Sequence, residues 1–152
     1  MIIEFGKHAG KSVETLVLKD ADYTTWVLSQ DSPVGQLDTV QQEVQRLIAV
    51  FDAKPYQKTC SGHGCSRPAT RCTVYGPNVY LRMWWCDDCD PYQAGASRGK
   101  LFAIRTYGEA IQHCLHFCTQ RSAIKDLIKS LAQAKGLPER VGERQAAEFF
   151  VS

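Results

Sequence analysis

No stretch of this sequence approaches the ~20 consecutive apolar residues that a membrane-spanning helix needs. Residues 1–11 carry charge and glycine where a secretory signal would place an apolar segment. Internal repeats and low-complexity tracts are also lacking, and the 44% of hydrophobic and 22% of charged residues exclude wholesale disorder. We therefore expect a cytoplasmic globular chain, whose 152 residues suffice for one ordinary domain or a few very small ones.

What the sequence does contain is cysteine, seven residues in all. In a chain without an export signal, cysteines indicate metal binding or buried thiols rather than disulfides, because the cytosol keeps thiols reduced. The odd count agrees, since a complete set of disulfides would leave one cysteine unpaired.

The formal net charge is only +2, but the charge is unevenly distributed. Residues 55–105 hold 7 Lys and Arg against 3 Asp and Glu, whereas residues 1–54 hold 5 against 8 and residues 106–152 hold 6 against 5. The positive charge therefore lies in the middle segment, beside most of the cysteines, where it favours an anionic partner.

Hydrophobic periodicity and turn residues predict an α+β fold in three parts. Residues 1–54 form a small αβ module, residues 55–105 a zinc ribbon and residues 106–152 a helical segment. In the first segment we predict a strand at 2–5, a helix with Asp22 as its N-cap and a helix ending near Phe51. In the second segment we predict strands Thr70–Tyr75 and Tyr80–Cys86 around Gly76-Pro77-Asn78, and a strand Leu101–Arg105. In the third segment we predict a helix opening with a Thr106/Glu109 capping box, a helix from Ser122 to Lys135 followed by Gly136, and a last helix beginning at Pro138.

Four of the cysteines form two closely spaced pairs, Cys60-x4-Cys65 and Cys86-x2-Cys89, with twenty residues between the pairs. Zn²⁺ takes four tetrahedral ligands, and two tight turns that each carry two thiolates supply them. The two strands predicted between the pairs form a hairpin that returns the chain to the first pair. We therefore predict one structural zinc ion in a closed four-cysteine site.

Other histidines and cysteines leave alternatives open. His63 lies between the cysteines of the first pair and is a possible substitute ligand for one of them. Four buried free thiols are disfavoured, because both pairs stand among glycine and polar residues. Cys114 and Cys118 at helical spacing, with His113 and His116 beside them, indicate either a second metal site or a buried helical face, and we prefer the latter.

The predicted hairpin carries an aromatic and basic face. A four-residue loop between the strands would place Arg71 opposite Trp84. The opposite face of the hairpin, which includes Cys72, would then pack against the core. Aromatic rings stack on exposed bases and arginine pairs with phosphate, so the face is a candidate nucleic-acid surface. The alternative is that other parts of the chain cover Tyr80 and Trp84. The candidate residues of this face are Arg71, Thr73, Tyr75, Tyr80, Arg82 and Trp84.

Charges near the hairpin indicate where nucleic acid is expected to bind. Asp87, Asp88 and Asp90 surround the second cysteine pair and should repel phosphate there. Nucleic acid is therefore expected along the hairpin or toward the cations that follow it, which are Arg98, Lys100 and Arg105.

The N-terminal residues resemble a known module. The matching residues are Phe5-Gly6-Lys7-His8-Ala9-Gly10-Lys11, Leu16 and Asp22-Tyr23-Thr24-Thr25-Trp26-Val27-Leu28. They resemble the small C-terminal module of exodeoxyribonuclease X-type proteins, which is also found in the quorum-sensing-regulated virulence factor family. The resemblance lies within the first 30 residues and implies an accessory role in DNA binding.

From this resemblance we expect no catalytic residues, because the chain is expected to begin at the module, without a nuclease domain before it, and a zinc ribbon is expected to follow. Lys7 and Lys11 lie on its glycine-rich turn and are candidate phosphate contacts, or else ordinary solvated turn residues.

Together these features predict a non-catalytic zinc-binding protein that serves as a nucleic-acid-binding accessory factor, with DNA as the expected partner. The alternative is a protein-interaction adaptor or regulator with a structural zinc ribbon. A nuclease or other hydrolase is disfavoured, because Asp87, Asp88 and Asp90 are the one clustered set of carboxylates and they belong to the second cysteine pair.

Overall fold

The computed structural model describes residues 1–89 and 100–151 and has the predicted α+β fold. The helices in these ranges are α1 (Val13–Lys19), α2 (Ala21–Ser29), α3 (Gly35–Ala53), α4 (Tyr107–Phe117), α5 (Ala123–Ala134) and α6 (Glu143–Val151). The strands are β1 (Arg71–Tyr75), β2 (Asn78–Trp85) and β3 (Leu101–Ile104). None of these helices has the length and apolarity that crossing a membrane requires.

The predicted strand at residues 2–5 is reduced to a single bridge between Ile2 and Ser12. The chain folds back on its own glycine-rich turn, so the Ile3 N–H donates to the carbonyl of Lys11 at 2.9 Å. The backbone hydrogen bonds of this segment are thus made within the N-terminal turn, and the segment does not join the sheet.

Two short helices follow this turn, and the first was not predicted. α1 begins where Ser12 Oγ accepts a hydrogen bond from the Thr15 N–H at 3.1 Å. Asp20 ends α1 and caps α2, since its carboxylate accepts from the Tyr23 N–H at 3.4 Å. The prediction of Asp22 as the N-cap is therefore wrong, because the break between the two helices lies at Asp20.

The helices with clear apolar spacing form as predicted. α3 buries Val40, Val44, Leu47 and Phe51 on one face. α4 begins with the predicted capping contact, in which Thr106 Oγ1 accepts from the Glu109 N–H at 3.1 Å.

The last helix begins later than predicted. Pro138 was expected as its first residue, but residues 137–142 are irregular and α6 starts at Glu143. The Gly142 N–H donates to Oε1 of Gln145 at 3.0 Å, so the helix cap is formed at Gly142.

The sheet has the order β2-β1-β3 with both pairs antiparallel. Arg71 lies opposite Trp85 and Cys72 opposite Trp84. The predicted pairing of Arg71 with Trp84 is therefore wrong by one residue. Because neighbouring residues in a strand point to opposite faces, Arg71 and Trp84 lie on different faces of the sheet.

The turn explains this difference in register. Gly76 and Pro77 alone form it, and Asn78 already pairs with Tyr75. A shift in the register follows between Val74 and Tyr75. The four-residue loop assumed from the sequence is thus replaced by a two-residue turn with an irregular pair beside it.

Most buried apolar residues of the described ranges form one cluster, which draws on all three predicted segments. The Phe51 ring packs edge-on against Tyr107 with 5.3 Å between ring centroids. The Tyr107 hydroxyl donates to the carbonyl of Val17 at 2.8 Å. Cys72 and Val74 contribute the buried face of β1. The packing is therefore continuous, and the proposed domain boundaries remain a prediction.

Candidate metal centre

The two cysteine pairs meet in space. The sulfur atoms of Cys60, Cys65, Cys86 and Cys89 all lie within 4.8 Å of one another. Those of Cys65 and Cys86 are 3.9 Å apart. Zinc–sulfur bonds of about 2.3 Å in a tetrahedron place the sulfurs about 3.8 Å apart, so the set fits one metal ion.

The first pair depends on two glycines. A Cβ atom on Gly62 would lie 2.7 Å from the sulfur of Cys89 and 3.4 Å from that of Cys60. Gly64 adopts a φ of +70°, which side-chain-bearing residues rarely adopt. Glycine at position 62 therefore lets the backbone of the first turn approach the sulfur atoms.

Backbone hydrogen bonds hold the first turn against the hairpin. The Ser61 N–H donates to the carbonyl of Trp84 at 2.7 Å, and the Cys60 N–H donates to the carbonyl of Arg67 at 2.9 Å. The Gly62 N–H lies 3.3 Å from the sulfur of Cys60 and donates to it. Such a bond stabilises a thiolate and orients it.

The second pair follows directly from β2. This strand ends at Trp85, so Cys86 leaves the sheet at the edge where the first turn is attached. Cys60 and Cys86 are buried, whereas Cys65 and Cys89 are half-buried. The site therefore has one side against the hairpin and one side toward solvent.

The four thiols interact closely with one another. Burial raises the pKa of Cys86, but hydrogen bonds from Cys89 and the other thiols outweigh it and lower the pKa. Hydrogen bonds with Cys86 and Cys65 raise the pKa of Cys89 to about 12. Four adjacent thiolates would repel one another, and a divalent cation removes that repulsion.

The aspartates of the second pair neutralise neighbouring arginines. Asp87 forms an ion pair with Arg71, and Asp88 forms one with Arg67. Hydrogen bonds from Thr70 and Arg71 lower the pKa of Asp87. Asp90 lies outside the described residues.

The predicted aromatic and basic face of the hairpin is not formed as one surface. Arg71 is only 5% exposed and lies on the face opposite Trp84. Trp84 packs against Tyr56 with 4.9 Å between ring centroids, so other parts of the chain partly cover it. Tyr75 and Tyr80 remain exposed, and the Tyr80 hydroxyl donates to the carboxylate of Asp126 at 2.5 Å.

The remaining cations named from the sequence are dispersed. Arg82 is half-buried and donates to the carbonyl of Val79 at 2.5 Å. Lys100 and Arg105 flank β3 and are exposed. Arg98 lies outside the described residues. Lys7 and Lys11 are exposed on the N-terminal turn, a different part of the chain.

The histidines do not add to the metal centre. His63 is exposed and does not belong to the close group of ligand atoms. His113 bonds through Nε2 to the carbonyl of Gly76 at 2.7 Å, and His116 bonds through Nδ1 to that of Gln112 at 3.1 Å. Among residues 1–89 and 100–151, the four cysteines are the one group that meets the geometry of a metal site.

The two helical cysteines fit the preferred alternative, a largely buried helix face. Cys114 is buried and Cys118 is half-buried. Burial raises the pKa of Cys114 to about 12, with a further contribution from Cys118. Such a thiol is protonated at neutral pH and acts as a small apolar side chain.

No protein-family model matches this chain, and neither a curated protein nor a solved structure is significantly similar to it. The resemblance of the N-terminal residues to the exodeoxyribonuclease X-type module therefore stays a prediction.

Proposed function

We propose that this chain is a non-catalytic binding protein whose ribbon is stabilised by one zinc ion. The observation that supports it is the approach of four cysteine sulfurs to within 4.8 Å of one another. Sulfur-only tetrahedral sites suit zinc or iron, and zinc is the usual ion where four cysteines close a structural site. With all four positions taken by thiolate, none remains for water or substrate.

The metal has a clear structural task in this ribbon. Residues 57–70 contain no helix or strand, and their pairing is limited to a bridge between Thr59 and Pro68. Most of their side chains are exposed, so little apolar burial opposes the chain entropy. Metal binding supplies free energy of folding to such segments.

Metal removal tests this role. Amide hydrogen exchange is measured on the metal-loaded chain and after treatment with a chelator. Exchange should accelerate over residues 58–70 and 86–89 and change little in α3, because α3 lies in the apolar core. Cys118→Ser, which alters a cysteine outside the site, should respond to the chelator as the natural chain does. Unchanged exchange over residues 58–70 and 86–89 after verified metal loss would contradict the proposal.

A protein-interaction role is the second candidate, and the outer face of the hairpin favours it. Leu81 and Met83 are 61% and 51% exposed, while Arg71 of this face is buried and paired with Asp87. An apolar strip without free positive charge suits a protein partner better than it suits phosphate.

Photo-crosslinking in cells tests this role. A photo-crosslinker at position 81 should form a defined protein adduct, whereas a photo-crosslinker at the exposed position of Gln45 should not. Equal labelling from both positions would count against this role.

Nucleic-acid binding, the finer hypothesis from the sequence, has little support on the hairpin. The residues that support nucleic-acid binding best are far apart in the sequence and meet only in the folded chain.

A further inference from the structure

A cleft with a volume of about 730 Å³ lies between the N-terminal turn, α2 and the start of α5. None of the four metal-site cysteines lines it. Three cations and two aromatic rings form much of its wall, namely Lys7, Arg121, Lys125, Tyr23 and Trp26.

The aromatic wall is a preformed platform. The rings of Tyr23 and Trp26 stack with 5.8 Å between centroids and 29° between planes. His8 packs behind Tyr23 at 4.4 Å and fixes that ring from the core side. Trp26 is 47% exposed, although large aromatic side chains are usually covered. The indole therefore offers surface on which a planar ring can stack.

The positive charge continues from the cleft along α5. Lys125 and Lys129 are one helical turn apart, which separates them by about 6 Å along the axis. Arg121 precedes the helix, and Lys129 lines an adjoining cleft of about 550 Å³. In the described parts of the chain, Lys7, Arg121, Lys125 and Lys129 form no ion pair within 4.0 Å. Their charges are therefore available to an anion.

Two carboxylates in the cleft limit what that anion can be. Asp20 is occupied, since it caps α2 and lies 3.5 Å from Nε2 of His8. Asp22 is exposed and free to accept hydrogen bonds. A ligand that carries hydrogen-bond donors as well as negative charge fits this wall better than a bare polyanion.

His8 supports the wall of the cleft from the core side. It is 4% exposed, and Nε2 faces the Asp20 carboxylate at 3.5 Å, although neither ring nitrogen has a well-aligned hydrogen bond among the described residues. The pKa of His8 is lowered, mainly because the ring is buried. The carboxylate of Asp20 raises this pKa, and the charges of Lys11, Lys7 and Lys125 lower it.

We propose that this cleft binds single-stranded nucleic acid, with a base stacked on Trp26 and phosphates held by Lys7, Arg121 and Lys125. Duplex DNA would present no unstacked base to Trp26 and is expected to bind more weakly. The proposal rests on the proposed function only in treating the chain as a binding protein, and it does not require the zinc ion.

Fluorescence anisotropy with labelled 12-nucleotide oligo(dT), oligo(U) and a duplex of the same length tests it. Binding should be measurable at low salt and weaken steeply as salt is added. The double variant Arg121→Ala/Lys125→Ala should lose about tenfold or more in affinity and reduce the log–log salt slope by about 1.4. Trp26→Ala should lose about tenfold, and Trp26→Phe should retain most of the binding, because stacking remains.

Matched controls separate this cleft from the hairpin. Lys58→Ala removes an exposed charge elsewhere, and Tyr75→Ala removes an exposed ring from the hairpin, so both should bind like the natural chain. Absence of oligonucleotide binding at low salt would overturn the proposal, as would binding that only Tyr75→Ala weakens. Binding to anionic lipid vesicles but not to oligonucleotides would overturn it as well.

Zinc content is measured on the same samples. Binding lost in the cleft variants with zinc retained supports the cleft. A natural chain that purifies without zinc and still binds oligonucleotide overturns only the proposed metal role. No binding by a zinc-loaded chain overturns only the cleft.

Discussion

At the scale of single residues, Gly62 determines how closely the two cysteine turns approach. A Cβ atom there would lie 2.7 Å from the Cys89 sulfur and 2.9 Å from the Cys89 Cβ. Neither atom belongs to the flexible end of a long side chain, so the turn itself would have to move.

Gly62→Ala is therefore expected to weaken zinc binding by about 10–100-fold, as the loss of supporting contacts does at other metal sites. Competition with a chromophoric chelator measures this affinity. Ser61→Ala changes the exposed neighbour and should leave the affinity close to that of the natural chain. Equal affinities for the two variants would show that the close contact at residue 62 is relieved without cost.

Lys135 makes the stability depend on pH. Its ammonium group is buried, donates to the carbonyls of Phe51 and Lys54 at 2.7 Å each, and lies 4.4 Å from the Tyr56 ring centroid. Burial lowers the pKa of Lys135 from 10.5 to about 8, although Asp52 opposes the shift. Below pH 8 both the folded and the unfolded chain carry the proton, so the penalty of burying the charge is constant.

Between pH 8 and 10.5 the folded chain releases a proton that the unfolded chain keeps, so stability should rise with pH. The gain relative to Lys135→Met should be on the order of 2–3 kcal/mol in urea unfolding. Lys129→Met serves as the control, since it removes an exposed lysine of α5, the helix that ends just before Lys135. Parallel pH profiles for the natural chain and Lys135→Met would contradict this account.

At the scale of elements, the start of α4 is set by two side chains. Thr106 Oγ1 accepts from the Glu109 N–H at 3.1 Å, and the Glu109 carboxylate accepts from the Arg105 N–H at 3.2 Å. Two backbone donors at the helix start are thus satisfied by side chains.

Thr106→Ala is expected to lower the free energy of unfolding by about 1 kcal/mol. Urea unfolding of the natural chain and the variant measures the difference. Thr119→Ala, in the exposed segment after α4, should change stability by much less. A similar effect of both substitutions would mean that the cap contributes little.

The elements also divide into those that the sequence could predict and those that it could not. The apolar spacing of α3 and the cysteine spacing are local patterns, and both were predictable. The hairpin register depends on whether Gly76-Pro77-Asn78 forms a two-residue or a longer turn, and all three residues suit either. α1 is too short for its periodicity to be recognised.

The cleft was not predictable for another reason. Trp26 and Lys125 are far apart in the chain, and only the packing of α2 against α5 brings them together. A tryptophan exposed on a short amphipathic helix was a weak signal in the sequence. The helical spacing of Arg121, Lys125 and Lys129 was another, but each alone is common on solvated helices.

At the scale of the whole molecule, the chain has two sources of stability. An apolar cluster joins α1, α3, α4, α5 and α6 with the inner face of the sheet. The ribbon beyond the sheet has little apolar burial and depends on four cysteines. This division explains why metal loss should alter the ribbon while the helices persist.

The metal content of the purified chain tests the central claim most directly. Elemental analysis after native purification should find one zinc ion per chain and no stoichiometric iron. Cys86→Ser should lose the ion, whereas Cys118→Ser should retain it. A natural chain that is folded and free of metal, or a Cys86→Ser variant that still carries one zinc ion, would contradict the account.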